Sequence, residues 1–272
     1  MRLSIFPHRF DLKDYIMCYD IKASTETQLK RAQRKGDLSA VTEILEYLIP
    51  FTDLPIFHAS GFSHPELLIY TNDAPEFPIV ATWGLVPHWI KDKQQQQKIW
   101  NSTLNARIET IYDKPSFKDS LKDKRCIIYI DGFYEHHHYD NKIYPFYIQR
   151  SDKKPMALAG LWSEWTDPDT GGKFNSFTIV TTKGNTILSK IHNNPKIKEP
   201  RMPLILTDDI EDKWLTFHQN ESSEAFFKNP IPSFPSDKLK AHTVEKLRGK
   251  NYLGNVEETS KLVTYDDLIT NF

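Results

Sequence analysis

The sequence predicts an α+β fold: a single domain with a mixed, mostly antiparallel β core and flanking helices. Three observations predict it. Short apolar runs rich in β-branched and aromatic residues recur along the chain at strand length. The helical segments between them are too few to alternate with the strands as in a βαβ series. No internal repeat and no linker rich in Gly, Pro or Ser divides the 272 residues, a length that fits one large domain and buries a substantial core.

Taken in order, Ser24 or Thr25 reads as the N-cap of a helix through Leu29 and Ala32 that stops at Gly36. A second helix runs from about Ala40 to Leu48 and stops at Pro50. Leu67 to Tyr70 and Ile79 to Trp83 read as strands. Lys91 to Lys98, with its four consecutive Gln, reads as a polar loop. Cys126 to Ile130 is apolar and β-branched and ends in Asp131-Gly132, which predicts a buried strand and a tight turn. Tyr144 to Gln149, Ala157 to Trp162 and Phe177 to Thr182 continue the strand series. Gly184 to Lys190 reads as a short helix, Leu204 to Leu206 as a strand, and Asp208 to Phe217 as a helix with acid at its start.

A formal net charge of -1 excludes a general nucleic-acid coater. Any such binding must come from a local basic groove balanced by acids elsewhere. Two cysteines, Cys18 and Cys126, argue against a disulfide scaffold and fit a reducing compartment. No apolar run approaches a membrane span. Residues 1–16 carry Arg2, Arg9, Asp11, Lys13 and Asp14 without an apolar stretch, so they are not a signal peptide. A cytoplasmic protein with no membrane association is expected.

The chemistry-bearing residues begin at Cys18. It follows Met17, and a chain that starts at Met17 and loses that Met presents an N-terminal cysteine. The resulting 1,2-aminothiol captures an aldehyde twice, first as an imine and then by ring closure through sulfur. Cys126, inside an apolar strand, reads instead as a small buried hydrophobe. Glu135 follows a strand and a turn, where a rigid scaffold presents catalytic groups. Asn105, in Asn105-Ala106-Arg107, and His192 complete a Cys, His and Asn set of the kind that makes a thiol nucleophile. Each of these alone also fits a cap, a surface charge or a structural histidine. His136-His137-His138 cannot all point to one side of a strand. No second ligand cluster has zinc spacing, so no metal site is expected, and the run reads as a polar strand end before a turn at Asp140-Asn141.

The longer strings are specific. Trp83-Gly84-Leu85-Val86-Pro87-His88-Trp89, Leu104-Asn105-Ala106-Arg107-Ile108-Glu109-Thr110, Arg125-Cys126-Ile127-Ile128-Tyr129-Ile130-Asp131-Gly132-Phe133-Tyr134-Glu135, Ala159-Gly160-Leu161-Trp162, Phe177-Thr178-Ile179-Val180-Thr181-Thr182 and Arg201-Met202-Pro203 occur in this order. Together they resemble the SRAP family, the SOS response-associated peptidases, from Met17 to roughly Val263. The resemblance implies a cytoplasmic DNA-damage protein that works as a monomer without a cofactor. Such a protein recognises abasic sites in single-stranded DNA and links to the ring-opened sugar as a thiazolidine. By resemblance, Cys18 is the linking residue, Asn105 orients the opened sugar and the Cys amine, Glu135 assists ring opening and proton transfer, and His192 is the second acid/base group. Arg107 and Arg201 hold phosphates, and Trp83, Pro87 and Trp89 shape the DNA-binding face. Arg gives bidentate phosphate contacts that Lys cannot copy, and Trp gives stacking without sequence preference.

Several positions depart from the family pattern. Residues 1–16 precede Met17 as an N-terminal extension, expected from a mis-assigned start or removed by self-cleavage before Cys18. The usual Cys-Gly-Arg opening is Cys18-Tyr19-Asp20, so Asp20 would repel phosphate and Lys22 is the candidate to compensate. His58 stands in a stretch where the family usually has Asn and Pro, and is expected to face the DNA groove. Residues 193–200 are inserted between His192 and Arg201, and the Gln94–Gln97 loop is longer than usual. Two competing readings are a thiol peptidase using Cys18, His192 and Asn105, and a non-catalytic single-strand binder whose Cys18 is blocked.

Overall fold

The computed structural model describes residues 19–34, 36–216 and 231–268. Cys18 and the expected N-terminal extension therefore lie outside the described residues. The strands are β1 (Asp20–Ala23), β2 (Ile56–Ser60), β3 (Glu66–Thr71), β4 (Ile79–Trp83), β5 (Asn105–Arg107), β6 (Arg125–Ile130), β7 (Gly132–Tyr139), β8 (Lys142–Arg150), β9 (Met156–Thr166), β10 (Lys173–Lys183), β11 (Arg201–Pro203), β12 (Ile205–Leu206) and β13 (Leu239–Thr243). The helices are α1 (Thr25–Gln33), α2 (Leu38–Tyr47), α3 (Lys93–Trp100), α4 (Lys118–Asp123), α5 (Thr186–Ile191) and α6 (Asp208–Thr216). The α+β class predicted from the sequence is the one observed.

Two sheets carry the fold. One runs β11-β10-β4-β3-β6-β9-β12, and pairing of β9 with β10 closes its middle into a barrel of five strands. The other runs β13-β8-β7-β1-β2. Residues alternate along each barrel strand. Leu67, Ile69, Cys126, Ile128, Ile130 and Leu158 face a core shared with Phe133, Phe146 and Ile148 of the second sheet. Leu68, Tyr70, Ile127, Tyr129, Ala157 and Ala159 pack on the opposite side against Leu29, Leu121 and Trp214 of the helices. Burial on both faces is why these strands read as continuous apolar runs.

Local chemistry sets the element ends. Ser24 caps α1, its hydroxyl accepting from Thr27 N at 3.2 Å, and Asp37 caps α2 through Ala40 N at 3.0 Å. Asp140 and Asn141 both take left-handed φ, 47° and 56°, as a two-residue hairpin between β7 and β8 requires. The expected turn at Asp131-Gly132 is not a hairpin. There the chain passes from the barrel into the second sheet, β6 pairing with β9 and β7 with β1 and β8. Gly132 is needed because a Cβ there would sit 2.4 Å from Ile148 O. Asp131 binds the Ser24 and Thr27 hydroxyls at 3.0 and 2.6 Å, tying the start of α1 to this crossover. The polar segment expected as a loop at Lys91 to Lys98 is helical in large part, as α3. Asp92 caps it, accepting from Gln95 N at 2.7 Å, and Gln and Lys are good helix formers even without an apolar stripe.

Candidate active site

Strand β7 divides two buried polar clusters. Glu135 and His137 point toward α5, while Tyr134 and His136 point toward β1, β2 and the C-terminal segment. Glu135, predicted to follow a turn, stands inside the strand, where pairing with Phe146 of β8 fixes it. It is buried, and its Oε1 accepts the His136 backbone N–H at 2.9 Å.

His192 forms the C-terminal cap of α5. Its Nδ1 lies 3.2 Å from Glu135 Oε2 and 3.1 Å from Arg201 O. Arg201 N is also near, at 3.4 Å, which would require Nδ1 to accept. The two oxygens are closer, so we assign the proton to Nδ1 and let it donate to them. That leaves the lone pair on Nε2, which is buried and has no hydrogen-bond partner among the described residues. The fold thus aims a basic nitrogen inward and orients it with a carboxylate, the arrangement of a general base with its positioning acid. His192 and Arg201 are nine positions apart, yet the intervening loop returns the chain so that ring and backbone touch.

Asn105 lies on β5, which pairs parallel with β10 opposite Ile179, and it is buried. Trp83 holds it from behind. The indole N–H donates to Leu104 O at 2.7 Å, the ring stacks on Phe177, and no part of the side chain reaches solvent. Trp83 is therefore a positioning residue and offers no stacking face to DNA, contrary to the sequence expectation. Pro87 is buried as well, and Trp89 alone of the three is exposed.

Arg201 corrects a second expectation. Its guanidinium is buried, gripping Glu109 through two bonds of 2.7 and 2.9 Å and Thr181 O at 2.8 Å. A cation so committed ties β11 to β10 and to the loop after β5, and does not face a phosphate. Arg107 remains exposed.

The cluster on the other face of β7 answers the departure at Asp20. Both carboxylate oxygens lie 3.1 Å from Arg248 Nη2, and Oδ1 lies 3.4 Å from His58 Nε2. Burial raises the Asp20 pKa, but the bonds to His58 and the charge of Arg248 outweigh it and bring the carboxyl down to about 2. Asp20 is ionised and neutralised inside the protein, so it presents no bare negative charge to a phosphate. Lys22 does not pair with Asp20 and donates to Ser260 Oγ at 2.8 Å. Sequence reasoning missed Arg248, which lies 228 positions from its partner in a segment without a motif. His58 is buried, bonded to Tyr252 Oη at 2.7 Å. Its ring forms part of the wall of a 640 Å³ cleft with Phe62, Arg248 and Tyr252.

The three consecutive His diverge. Burial pushes His136 down to about 3, against the opposing pull of Asp20. His137 Nδ1 lies 3.0 Å from Lys190 O. The backbone of His138 pairs with the Asn193 amide. Among the described residues no group of three His, Cys, Asp or Glu is arranged to hold a metal. Cys126 is buried in β6 and burial raises its thiol pKa well above the ordinary value, which makes it inert.

Comparison with known proteins gives the family. Residues 49–250 match the model of the SOS response associated peptidase (SRAP) family. The abasic site processing protein YoqW of Bacillus subtilis is 37% identical over 166 residues, 61% of this chain and 68% of that protein. The abasic site processing protein HMCES of Pongo abelii is 32% identical over 232 residues, 72% of this chain and 63% of its own. A crystal structure of a Bacteroides thetaiotaomicron protein superposes with a TM-score of 0.75 at 29% identity, covering 91% of this chain and 100% of the other. A family model that matches most of the chain, relatives above 30% identity and a shared architecture make one conclusion: the chain belongs to the SRAP family.

Proposed function

We propose that this protein captures abasic sites in single-stranded DNA covalently through Cys18, as part of the response to DNA damage. The observation that carries the reading is the buried Glu135–His192 pair beside the strand that Cys18 leads into. Asp20 of β1 pairs with Tyr134 of β7, and Tyr19 O continues the ladder on the other side by accepting from Gly61 N at 2.6 Å. Extending the β7 register by one residue sets Tyr19 opposite Glu135. Cys18 directly precedes Tyr19 in the sequence and itself lies outside the described residues. Relatives that share the family are named abasic site processing proteins, which supports the same substrate.

The chemistry needs no further group. An abasic sugar opens to an aldehyde when a general acid protonates the ring oxygen, a role open to Glu135 in its protonated form, when Oε2 no longer accepts from His192 Nδ1. The Cys18 α-amine, with an ordinary pKa of about 7.7–8.0, is neutral in roughly a quarter to two fifths of the molecules near pH 7.5, and that form attacks the aldehyde carbon. Water leaves and an imine forms. The sulfur then adds to the imine carbon while the thiol proton passes to nitrogen, closing a five-membered thiazolidine. The net change is loss of one water. His192 Nε2 is the base that accepts the thiol or ammonium proton, and Asn105 orients the opened sugar. The α-amine must be free, either by initiation at Met17 or by cleavage before Cys18, and in the second case the same pair serves as peptidase machinery for self-processing.

Protein beginning at Cys18 is mixed with single-stranded DNA carrying one abasic site, with an intact strand as control, and run on a denaturing gel. A band that survives denaturation only with the abasic strand is expected, and Cys18→Ala removes it. No such band with a mass-verified free Cys18 would sink the reading. Mass spectrometry of protein expressed from Met1 separates the two routes: an intact chain excludes self-cleavage.

A further inference from the structure

The eight residues between His192 and Arg201 form a built loop. At one root the Asn193 amide pairs both ways with the His138 backbone, Oδ1 accepting at 2.7 Å and Nδ2 donating at 2.9 Å, in the manner of an added strand residue. Asn194 is buried and its side chain accepts from Lys196 N at 2.9 Å. At the other root Pro200 O accepts from Gly184 N at 2.8 Å. Glu199 lies between Lys183, at 2.9 Å, and Arg201, at 3.5 Å. A loop held this way has little entropy left to lose on binding.

What it presents is positive. Lys196 and Lys198 are exposed, and with Arg107, Ile197 and Glu199 they line a groove of 320 Å³. The neighbouring acids are already matched, Glu199 by Lys183 and Arg201, and Glu109 by Arg201. Arg107, Lys196 and Lys198 have no carboxylate within ion-pair distance among the described residues. In a chain of net charge -1, three cations outside any ion pair around one small groove, against one carboxylate already held by Lys183 and Arg201, form a local site for a polyanion. The loop that carries the two lysines begins directly after His192.

We propose that the inserted loop supplies Lys196 and Lys198, beside Arg107, as the grip on the phosphodiester backbone of the captured single strand, in the role that the buried Arg201 does not fill. The proposal rests on the capture reading for its ligand. It adds that the insertion is functional, setting strand affinity through charge.

The test measures non-covalent affinity of the full chain for an intact oligothymidine at several salt concentrations, with Lys196→Gln/Lys198→Gln against the parent. Each single-strand phosphate contact contributes about 0.7 to the slope of log affinity against log salt. Loss of two contacts flattens the slope by about 1.4 and weakens binding roughly 25-fold at 0.1 M salt, counted down from 1 M. A control pair on α4, Lys118→Gln/Lys122→Gln, is expected to keep the parental slope. An unchanged slope in the loop variant, or equal flattening in the control, overturns the proposal. Intact DNA cannot cross-link, so the outcomes separate: adduct formation with an unaltered slope sinks the loop alone, and a flattened slope without any adduct sinks capture alone.

Discussion

His136 sets an acid limit on the fold around the site. Replacing it with Gln removes one titration and keeps a polar side chain of similar reach. In the unfolded chain His titrates near 6.5, whereas in the fold burial holds His136 down to about 3, with Arg248, His138 and His58 acting in the same direction and Asp20 opposing. The sign follows: a depressed histidine binds its proton more tightly when unfolded, so stability is full above pH 6.5 and is lost as pH falls toward 3. Between pH 8 and pH 5 the loss is 1.36 kcal/mol for each of about 1.5 pH units below 6.5, or about 2 kcal/mol. This window ends well above the folded value, so the figure depends almost wholly on the unfolded one. Asp20, held at about 2, does not titrate within it. Urea unfolding at pH 8 and pH 5 gives the measurement, and the difference between the two pH values is expected to shrink by about 2 kcal/mol in the variant. Parent and variant losing stability equally would refute the argument, because His136 would then be charged or hydrated in the fold.

Three other substitutions divide the roles of buried groups. Glu135→Gln is expected to slow adduct formation by about 10²–10⁴-fold with DNA affinity unchanged; single-turnover gels at the parental rate would remove Glu135 from proton transfer. Trp83→Phe keeps a ring in the core but loses the bond to Leu104 O, which should cost about 0.5–1.5 kcal/mol of stability and slow capture through Asn105. A loss of roughly 1–3 kcal/mol in DNA affinity instead would mark Trp83 as a stacking surface after all. Arg201→Met is expected to cost about 2–3 kcal/mol in urea unfolding, below the 3–5 of a fully buried pair because Glu109 is part-exposed, and to leave the salt slope of DNA binding unchanged.

The barrel strands and most helices were legible because their cues are local. Runs buried on both faces read as strands, Ser24 stands at a helix start, and Ile79 to Trp83 was bounded correctly by its own residues. The miss at α3 has the same origin. Its helix rests on a cap at Asp92 and on intrinsic propensity, and no apolar stripe announces it. Asp131-Gly132 misled because a strand switching sheets uses the same short, flexible residues as a hairpin. The pairing of Glu135 with His192 was legible only as membership of one list. Their 3.2 Å contact depends on α5 ending where β7 passes, which neither segment encodes alone.

The charged residues were the least legible, and the reason is physical. An arginine that binds phosphate and one that binds a buried carboxylate present the same guanidinium to the same kind of oxyanion, so residue type cannot separate them. Position in the fold does. Glu109 follows Arg107 by two residues on a short strand and loop, and that places the acid beside Arg201 while Arg107 points outward. Asp20, which reads as a phosphate repellent, is silent because Arg248 arrives from the far end of the chain. In both cases a carboxylate claims a cation before any ligand can. The cations left unclaimed are the ones to count for binding, and Arg107, Lys196 and Lys198 are three that share one groove. On the proposed reading the charge offered to a DNA strand comes from two lysines of the loop and not from the buried Arg201, and the salt slope of the loop variant tests that against the unchanged slope expected of Arg201→Met.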